Sequence, residues 1–275
     1  MWRIRMFCLC GLLAFFLILN YLTETIPVCF SSGQPSNGDF SVMCYNVRCS
    51  DDNYDKTQIG IAKEIIAESP DIVILCEFNR SVSKDLDLMM IQQGEYKSFY
   101  RSGANCIFYS KFEIDSIASI DVGTSKGKTA INNKVHVYSP YGIITIVGCH
   151  LSSSRKDFWG GKSNRERESD SIFMNIKEEQ RPLIVMGDMN DVSGSYPINR
   201  IKEAGLKDAW WEGGCGYGTT FHSGLLRLRI DHILYDEELE LAGVKVIDND
   251  LSDHNALIAK FKMKKLNYNN YNTIK

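Results

Sequence analysis

Six short strand-like runs in this chain end at, begin at or are interrupted by residues that can bind a metal, hold a phosphate or carry a proton. FSVMCY runs into Asn46, DIVILC into Glu77, IITIVGC into His150, and PLIVMG into Asp188 and Asn190. Asp231 and His232 interrupt RIDHILY, and Asp253 and His254 stand just before ALIAKF. Each has an ordinary explanation. Asn46 can cap a turn, Glu77 can be a solvated strand end, and His150 can be a satisfied core histidine. The repetition is what constrains the fold: the strand ends form either an unusually polar rim or one converging site. In α/β proteins the ends of sheet strands are where ligands bind. Asp188 and Asn190 lie two apart, so in an extended chain they point the same way.

Between these runs helical and strand patterns alternate. Gln58–Glu68 carries apolar residues at helical spacing, Arg165–Glu178 brings Ile172, Phe173 and Ile176 onto one face, and Ile198–Ala204 reads as a short helix. Strands are expected at 40–46, 71–75, 105–109, 143–150, 183–187, 229–235 and 256–262. The chain has 275 residues, 44% hydrophobic and 24% charged, which calls for a packed core rather than disorder. Many strands with helices between them suggest one α/β or α+β domain with layered sheets, over residues 40–263. Residues 23–39 read as a linker, its SSGQPSNGD stretch rich in Gly, Ser and Pro, and 264–275 as a disordered tail.

Residues 1–22 differ in kind. Arg3 and Arg5 precede the uncharged run FCLCGLLAFFLIL, which with Tyr21 and Leu22 reaches the lower limit for a membrane-spanning helix. No A-x-A-like cleavage site follows, which favours an uncleaved signal anchor over a cleaved signal peptide. The basic residues before the segment then place the catalytic part outside the cytoplasm, anchored to the membrane, or secreted or periplasmic if the signal is removed. Nine cysteines show no CxxC spacing and no disulfide framework is read from them. Cys44, Cys76, Cys106 and Cys149 sit in apolar runs, where cysteine acts as a small buried hydrophobe.

The residue types at the strand ends define a chemistry. Asn46, Glu77 and Asp253 are hard oxygen donors, better suited to Mg²⁺, with Mn²⁺ as a substitute, than to Zn²⁺. His150 and His254 can shuttle protons or, as imidazolium, stabilise a developing oxyanion. Asp231 can hold one of these histidines in its tautomer. A divalent cation, two histidines and the acid–amide pair Asp188 and Asn190 make a set for hydrolysing a phosphate ester. No organic cofactor site is read. The net charge of −3 gives no global basic excess for gripping a polyanion.

YNVR at 45–48, CEF at 76–78, CHLSS at 149–153, GDMND at 187–191, RIDHIL at 229–234 and SDH at 252–254 resemble, in order, the motifs of the endonuclease/exonuclease/phosphatase superfamily. GANCIFYSK at 103–111 and the GTTF before RIDHIL look like its structural strands. The resemblance implies a four-layer α/β sandwich, two packed β-sheets flanked by helices, and a metal-dependent phosphoester hydrolase. It implies Asn46, Glu77 and Asp253 on the metal side, with Glu77 the principal Mg²⁺ ligand. His150 would contact the phosphate, as in the deoxyribonuclease I and sphingomyelinase branch. Asp188 and Asn190 would position the water and phosphate, Asp231 would orient His254, and His254 would be the catalytic base. One departure is His232, where the family usually has Tyr; it is read as a strand residue on the face opposite Asp231. Asp191 is read as a turn acceptor.

His136 and His222 are not taken as catalytic, and Arg165 and Arg167 are read as a solvated helix face. Trp210 and Trp211 read as a half-buried anchor, GGCGYG at 213–218 as a loop near the entrance, and Arg48 and Arg229 as either phosphate contacts or salt-bridge partners. The leading expectation is a phosphodiesterase of nuclease type. The alternatives are a sphingomyelinase or inositol-phosphate hydrolase, and an inactive binding protein on the same scaffold. The substrate would be a nucleic acid, a phospholipid or an inositol phosphate, and no feature demands a protein partner.

Overall fold

The computed structural model describes residues 27, 38–48, 54–78, 83–99, 106–123, 129–153 and 163–264. In chain order the elements begin with β1 (Phe40–Asn46), α1 (Tyr54–Glu68), β2 (Ile72–Cys76), α2 (Lys84–Gln92), β3 (Lys97–Phe99), β4 (Cys106–Ser110), β5 (Glu113–Gly123) and β6 (Thr129–Ser139). They continue with β7 (Gly142–His150), α3 (Asn164–Ile176), β8 (Leu183–Asp188), α4 (Tyr196–Lys202), β9 (Lys207–Asp208) and α5 (Ala209–Gly213). The last are β10 (Phe221–Ser223), β11 (Leu226–Leu228), β12 (Asp231–Tyr235), β13 (Leu239–Ile247) and β14 (Ala256–Met263).

Two six-stranded sheets form, ordered β13-β14-β1-β2-β4-β3 and β5-β6-β7-β8-β12-β9. Each contains one parallel pair, β1 with β2 and β7 with β8. Parallel neighbours need a long crossover, and α1 and α3 lie within those two connections. Helix α3 starts on a capping box: Glu166 N–H donates to Ser163 Oγ, and Ser163 N–H donates back to the Glu166 carboxylate.

The sandwich has four layers. Val42, Ile74, Cys76 and Phe108 of one sheet meet Val137, Ile146, Ile184, Met186 and Ile233 of the other in the central core. On the outer face of the first sheet, Val73 and Leu75 pack with Ile61 and Ile65 of α1 and Leu86 of α2. On the outer face of the second, Val147 and Val185 pack with Ile172 of α3 and Ile198 of α4. This is the expected α/β sandwich. Strands β5 and β13 and helix α2 were not foreseen. β5 and β13 are edge strands with many half-exposed positions, so their hydrophobic alternation is weak.

Two expectations are corrected. Among the described residues no helix is long and apolar enough to cross a membrane. The longest, α1, has 15 residues and spans about 22 Å, short of a hydrocarbon core of about 30 Å; its Ile61 and Ile65 are already buried in the domain. Membrane anchoring, and the extracytoplasmic placement built on it, therefore have no support. The run expected to form the anchor, residues 1–22, lies outside the described residues, as do 265–275 of the expected tail. The second correction concerns the cysteines. Cys44, Cys76, Cys106 and Cys149 are free and buried, but Cys215 is disulfide-bonded. Cys215 stands exposed on the glycine-rich loop rather than in an apolar run. That loop wraps Trp210, whose Nε1 donates to Gly216 O at 3.0 Å, and Gly216 N donates to Pro27 O at 3.1 Å.

Two features hold the strand ends in place. Gly187 has φ +136, and a Cβ there would lie 2.0 Å from Cys149 O of the neighbouring strand. Behind β12, Arg229 donates to Asp208 at 3.0 and 3.2 Å, both side chains 3% exposed. Burial alone would raise the Asp208 carboxyl, but the His232 hydrogen bond and the Arg229 charge hold it well below the usual carboxylate range.

We expect Gly187→Ala to destabilise the protein by on the order of 3 kcal/mol, read from the urea midpoint, because strain and overlap add at one position. Asp208→Asn should cost about 3–5 kcal/mol at neutral pH by leaving Arg229 buried and unpaired. Asp208's folded pKa lies below its unfolded one. Its stabilisation is complete above about pH 4 and is lost as pH falls from there toward the folded value. The gap between wild type and Asp208→Asn in urea melts should therefore narrow at low pH. A constant gap from pH 7 to 3 would contradict the pairing.

Candidate active site

Topology carries the polar strand ends to one edge. Parallel β1 and β2 finish side by side, with Asn46 opposite Cys76 and Glu77 next along the chain. Parallel β7 and β8 finish with His150 opposite Asp188. β12 runs antiparallel to β8, so its first residue, Asp231, pairs with Asp188. β14 runs antiparallel to β1, and the 252–254 turn that enters it arrives at the same edge.

Asp188 is the centre of the cluster. Its Oδ2 accepts from Asn46 Nδ2 at 2.9 Å, across the gap between the sheets. His150 Nε2 stands 3.7 Å from that oxygen and His254 Nε2 3.9 Å. The other oxygen, Oδ1, accepts from Asn190 N at 2.8 Å. Asn190 Nδ2 donates to Leu151 O at 2.8 Å and lies 3.4 Å from Asp188 Oδ2. Burial, and after it the Asp231 carboxylate, push the Asp188 carboxyl up to about 6.

His254 Nδ1 lies 2.8 Å from Asp231 Oδ2. Burial disfavours its cation, but the Asp231 carboxylate outweighs that and pushes the imidazole up to about 9, so it is charged at neutral pH. Phe221 packs on its ring, centroids 5.0 Å apart. Thr220 Oγ1 accepts from the backbone N–H of Ile230 and Asp231, 3.0 Å each, and fixes the start of β12. Thr220 and Phe221 were not singled out as site residues; the signal was the TF of GTTF, separated from RIDHIL by seven residues.

On the metal side, Asn46 Nδ2 also donates to Glu77 Oε1, at 3.0 Å, and His150 Nε2 is 3.7 Å from that oxygen. Glu77, His150 and Asp188 bring ligand atoms within 4.8 Å of one another, and so do Asp188, Asp231 and His254. Neither group contains Asp253, whose Oδ2 takes Arg48 Nη1 at 2.6 Å. Asn46 Oδ1 accepts from Arg48 N at 3.1 Å. Ser252 Oγ donates to Asn46 O at 2.9 Å, tying the 252–254 turn to the end of β1. Arg48, Glu77 and Asn190 all have positive φ, 43°, 53° and 51°, an uncommon conformation for such residues and typical of functional sites.

Residues outside the cluster are also placed. His136 pairs with Ser116 and Glu179 on the β5–β6 hairpin. His222 N donates to Asp253 O at 2.9 Å. Asp191 Oδ1 accepts from Val192 N at 3.0 Å, a turn contact. Arg165 is not on a solvated face: its Nε lies 3.5 Å from Asp191 and its side chain is 18% exposed. Asp191, far along the chain, reaches it, a tertiary contact that helical periodicity could not show.

The fold recurs in solved structures. D. rerio TDP2 complexed with single strand DNA product is 18% identical, with 81% of this chain and 98% of that one covered, at a TM-score of 0.67. The human Nocturnin catalytic domain with bound sulfate anion is 18% identical, covering 82% and 93%, at 0.64. ANGEL2, a 2′,3′-cyclic phosphatase in complex with adenosine-2′,3′-vanadate, is 17% identical, covering 81% and 95%, at 0.63. At these identities the likeness concerns the fold. No curated protein matches the chain in sequence. Residues 43–254 match the Endonuclease/Exonuclease/phosphatase family model. With the match spanning most of its length, the chain belongs to the endonuclease/exonuclease/phosphatase family and is a phosphoester-hydrolysing enzyme.

Proposed function

We propose that the protein hydrolyses phosphodiesters of nucleic-acid type with the help of Mg²⁺. The observation that carries this reading is Asp188: one buried carboxylate ringed by Asn46, Asn190, His150 and His254 at the edge where both sheets end. The neighbours solved with a DNA product and with an adenosine vanadate support the choice of substrate class.

The donor set fits a hard divalent cation. Glu77 and Asp188 present carboxylate oxygens to the same small space, and a single Asn46 amide donates to both. Two carboxylates so close gain from a cation between them, and Mg²⁺ favours oxygen donors. Glu77 would hold the ion, with Asn46 alongside; Asp253 joins only with Arg48 released. When bound, the ion neutralises the phosphate and polarises its oxygens.

The chain's own residues supply the rest. Asp188 orients the attacking water and accepts its proton; a carboxyl pushed up to about 6 is a stronger base than an ordinary carboxylate yet ionised at neutral pH. One Asn190 amide N–H is taken by Leu151 O; the other, in a long 3.4 Å bond to Asp188 Oδ2, is the one offered to a phosphate oxygen. His150 faces the phosphate from the opposite side. His254, kept protonated by Asp231, donates to the departing oxygen. That role differs from the base role the family resemblance implied, because the Asp231 pairing holds the proton on the ring.

Asp188→Asn and His254→Ala should each lower the rate on the order of 10²–10⁴-fold, His254→Ala also losing stability because it leaves the buried Asp231 carboxylate unpaired. The double variant should lose far less than the product of the single losses, since the groups act as one unit. Asp191→Asn should keep near-normal turnover; if it abolished turnover while Asp188→Asn did not, the strand end would be misassigned. Glu77→Gln should raise the Mg²⁺ concentration needed for half-maximal rate. The direct test is a panel of plasmid DNA, RNA, sphingomyelin, inositol phosphates and a generic phosphodiester, each with Mg²⁺ and with EDTA. Mg²⁺-dependent cleavage of nucleic acid is expected. Turnover of sphingomyelin or inositol phosphates alone would replace this reading with the lipid or inositol one.

A further inference from the structure

We propose that His232 is a positioning residue: from behind β12 it grips the loop that presents Asn190 to the substrate. The inference rests on the role given to Asn190 above and adds a residue that the reaction itself does not touch.

Residues of β12 alternate between two faces. Ile233 and Tyr235 belong to the core between the sheets, and Asp231 joins His254 at the site edge, whereas Leu234 packs with the outer helices. His232 falls on the outer side and is fully buried. Its Nε2 lies 2.9 Å from the Asp191 carbonyl oxygen. A carbonyl can only accept, so this nitrogen carries the hydrogen. Its Nδ1 faces Arg229 Nη1 at 3.0 Å and Asp208 Oδ2 at 3.3 Å. Asp208 in turn caps α5 through Trp210 N at 3.0 Å.

The grip falls where the catalytic loop needs it. Asn190 sits at φ 51, a conformation that Asn tolerates but that must be held by its surroundings. The residue before it is fixed by Met189 N donating to Ile230 O at 2.9 Å, and the residue after it by His232. Both anchors come from the same short stretch that carries Asp231. Ser193 extends the grip: Arg229 Nη2 donates to its hydroxyl, which lies 3.3 Å from Asp208 Oδ2. Without these anchors Asn190 would rest on its bonds to Leu151 O and Asp188 alone, and misplacements of about 1 Å can cost as much as 10²-fold in rate.

Two substitutions separate this role from simple core stability. The amide nitrogen of Gln can occupy the place of His Nε2 and donate to Asp191 O. The shorter Asn can meet Asp208 and Arg229 but cannot reach that carbonyl. With bis(4-nitrophenyl) phosphate and Mg²⁺, His232→Asn should lower kcat about tenfold or more with KM little changed. His232→Gln should hold kcat within about threefold of wild type. In the Asn190→Ala background, His232→Asn should have almost no further effect. Normal kcat in His232→Asn beside an impaired Asn190→Ala overturns the proposal alone. Equal kcat losses in the two His232 variants at matching thermal midpoints overturn it too, since His232 would then serve packing only. An unchanged kcat in Asn190→Ala overturns the site reading itself, and the proposal with it.

Discussion

One carboxylate oxygen belongs to both sheets. Asp188 Oδ2 sits at the end of β8 in the second sheet, yet it accepts its shortest hydrogen bond from Asn46 at the end of β1 in the first. Apolar side chains of the core between the sheets reach up to Cys76 and Met186 beside it. A buried carboxylate is tolerated there only because polar partners converge on it from four strand ends. Those partners are the candidate site. The need to satisfy one acid and the need to assemble a catalytic cluster are met by the same atoms.

Charge follows from that arrangement. Asp188 and Asp231 both lie beside His254; burial and the Asp231 carboxylate make Asp188 harder to ionise, while both carboxylates make the imidazolium easier to keep. Asp188 is thereby tuned toward accepting a proton, and His254 toward holding one. Pairs of groups whose surroundings separate their proton affinities are how acid and base roles are divided in a single cleft. The second charged hub, Asp208 with Arg229 and His232, lies behind the same strand and is fully paired.

The central strands were legible because they are buried on both sides. β1, β2 and β8 read as unbroken apolar runs, and their boundaries in the structure fall within a residue of those expected. The edge strands were less legible. β13 carries Glu240 and Lys245 among half-exposed positions, so it looks like neither a core strand nor a helix. Cys215 shows a different limit: pairing of a thiol depends on which segment lies beside it, and the approach of Pro27 to Gly216 is invisible along the chain. Arg165 was misread for the same reason.

The sequence by itself determined the residue types and the strand ends on which they sit: Asn46, Glu77, His150, Asp188, Asn190, Asp231, Asp253 and His254. It could do so because a strand end is a local event, marked by where an apolar run stops. Tertiary structure alone decided that these ends meet. Two parallel pairs and two antiparallel neighbours had to bring four finishing ends and two starting ends to one edge, and strand order is not a local property. Tertiary structure also decided that Asp253 is held by Arg48 while Asp188 occupies the centre. And it turned His232, by its position a plain strand residue, toward the loop that carries Asn190, because side-chain partners across a sheet are fixed by register and packing rather than by spacing along the chain.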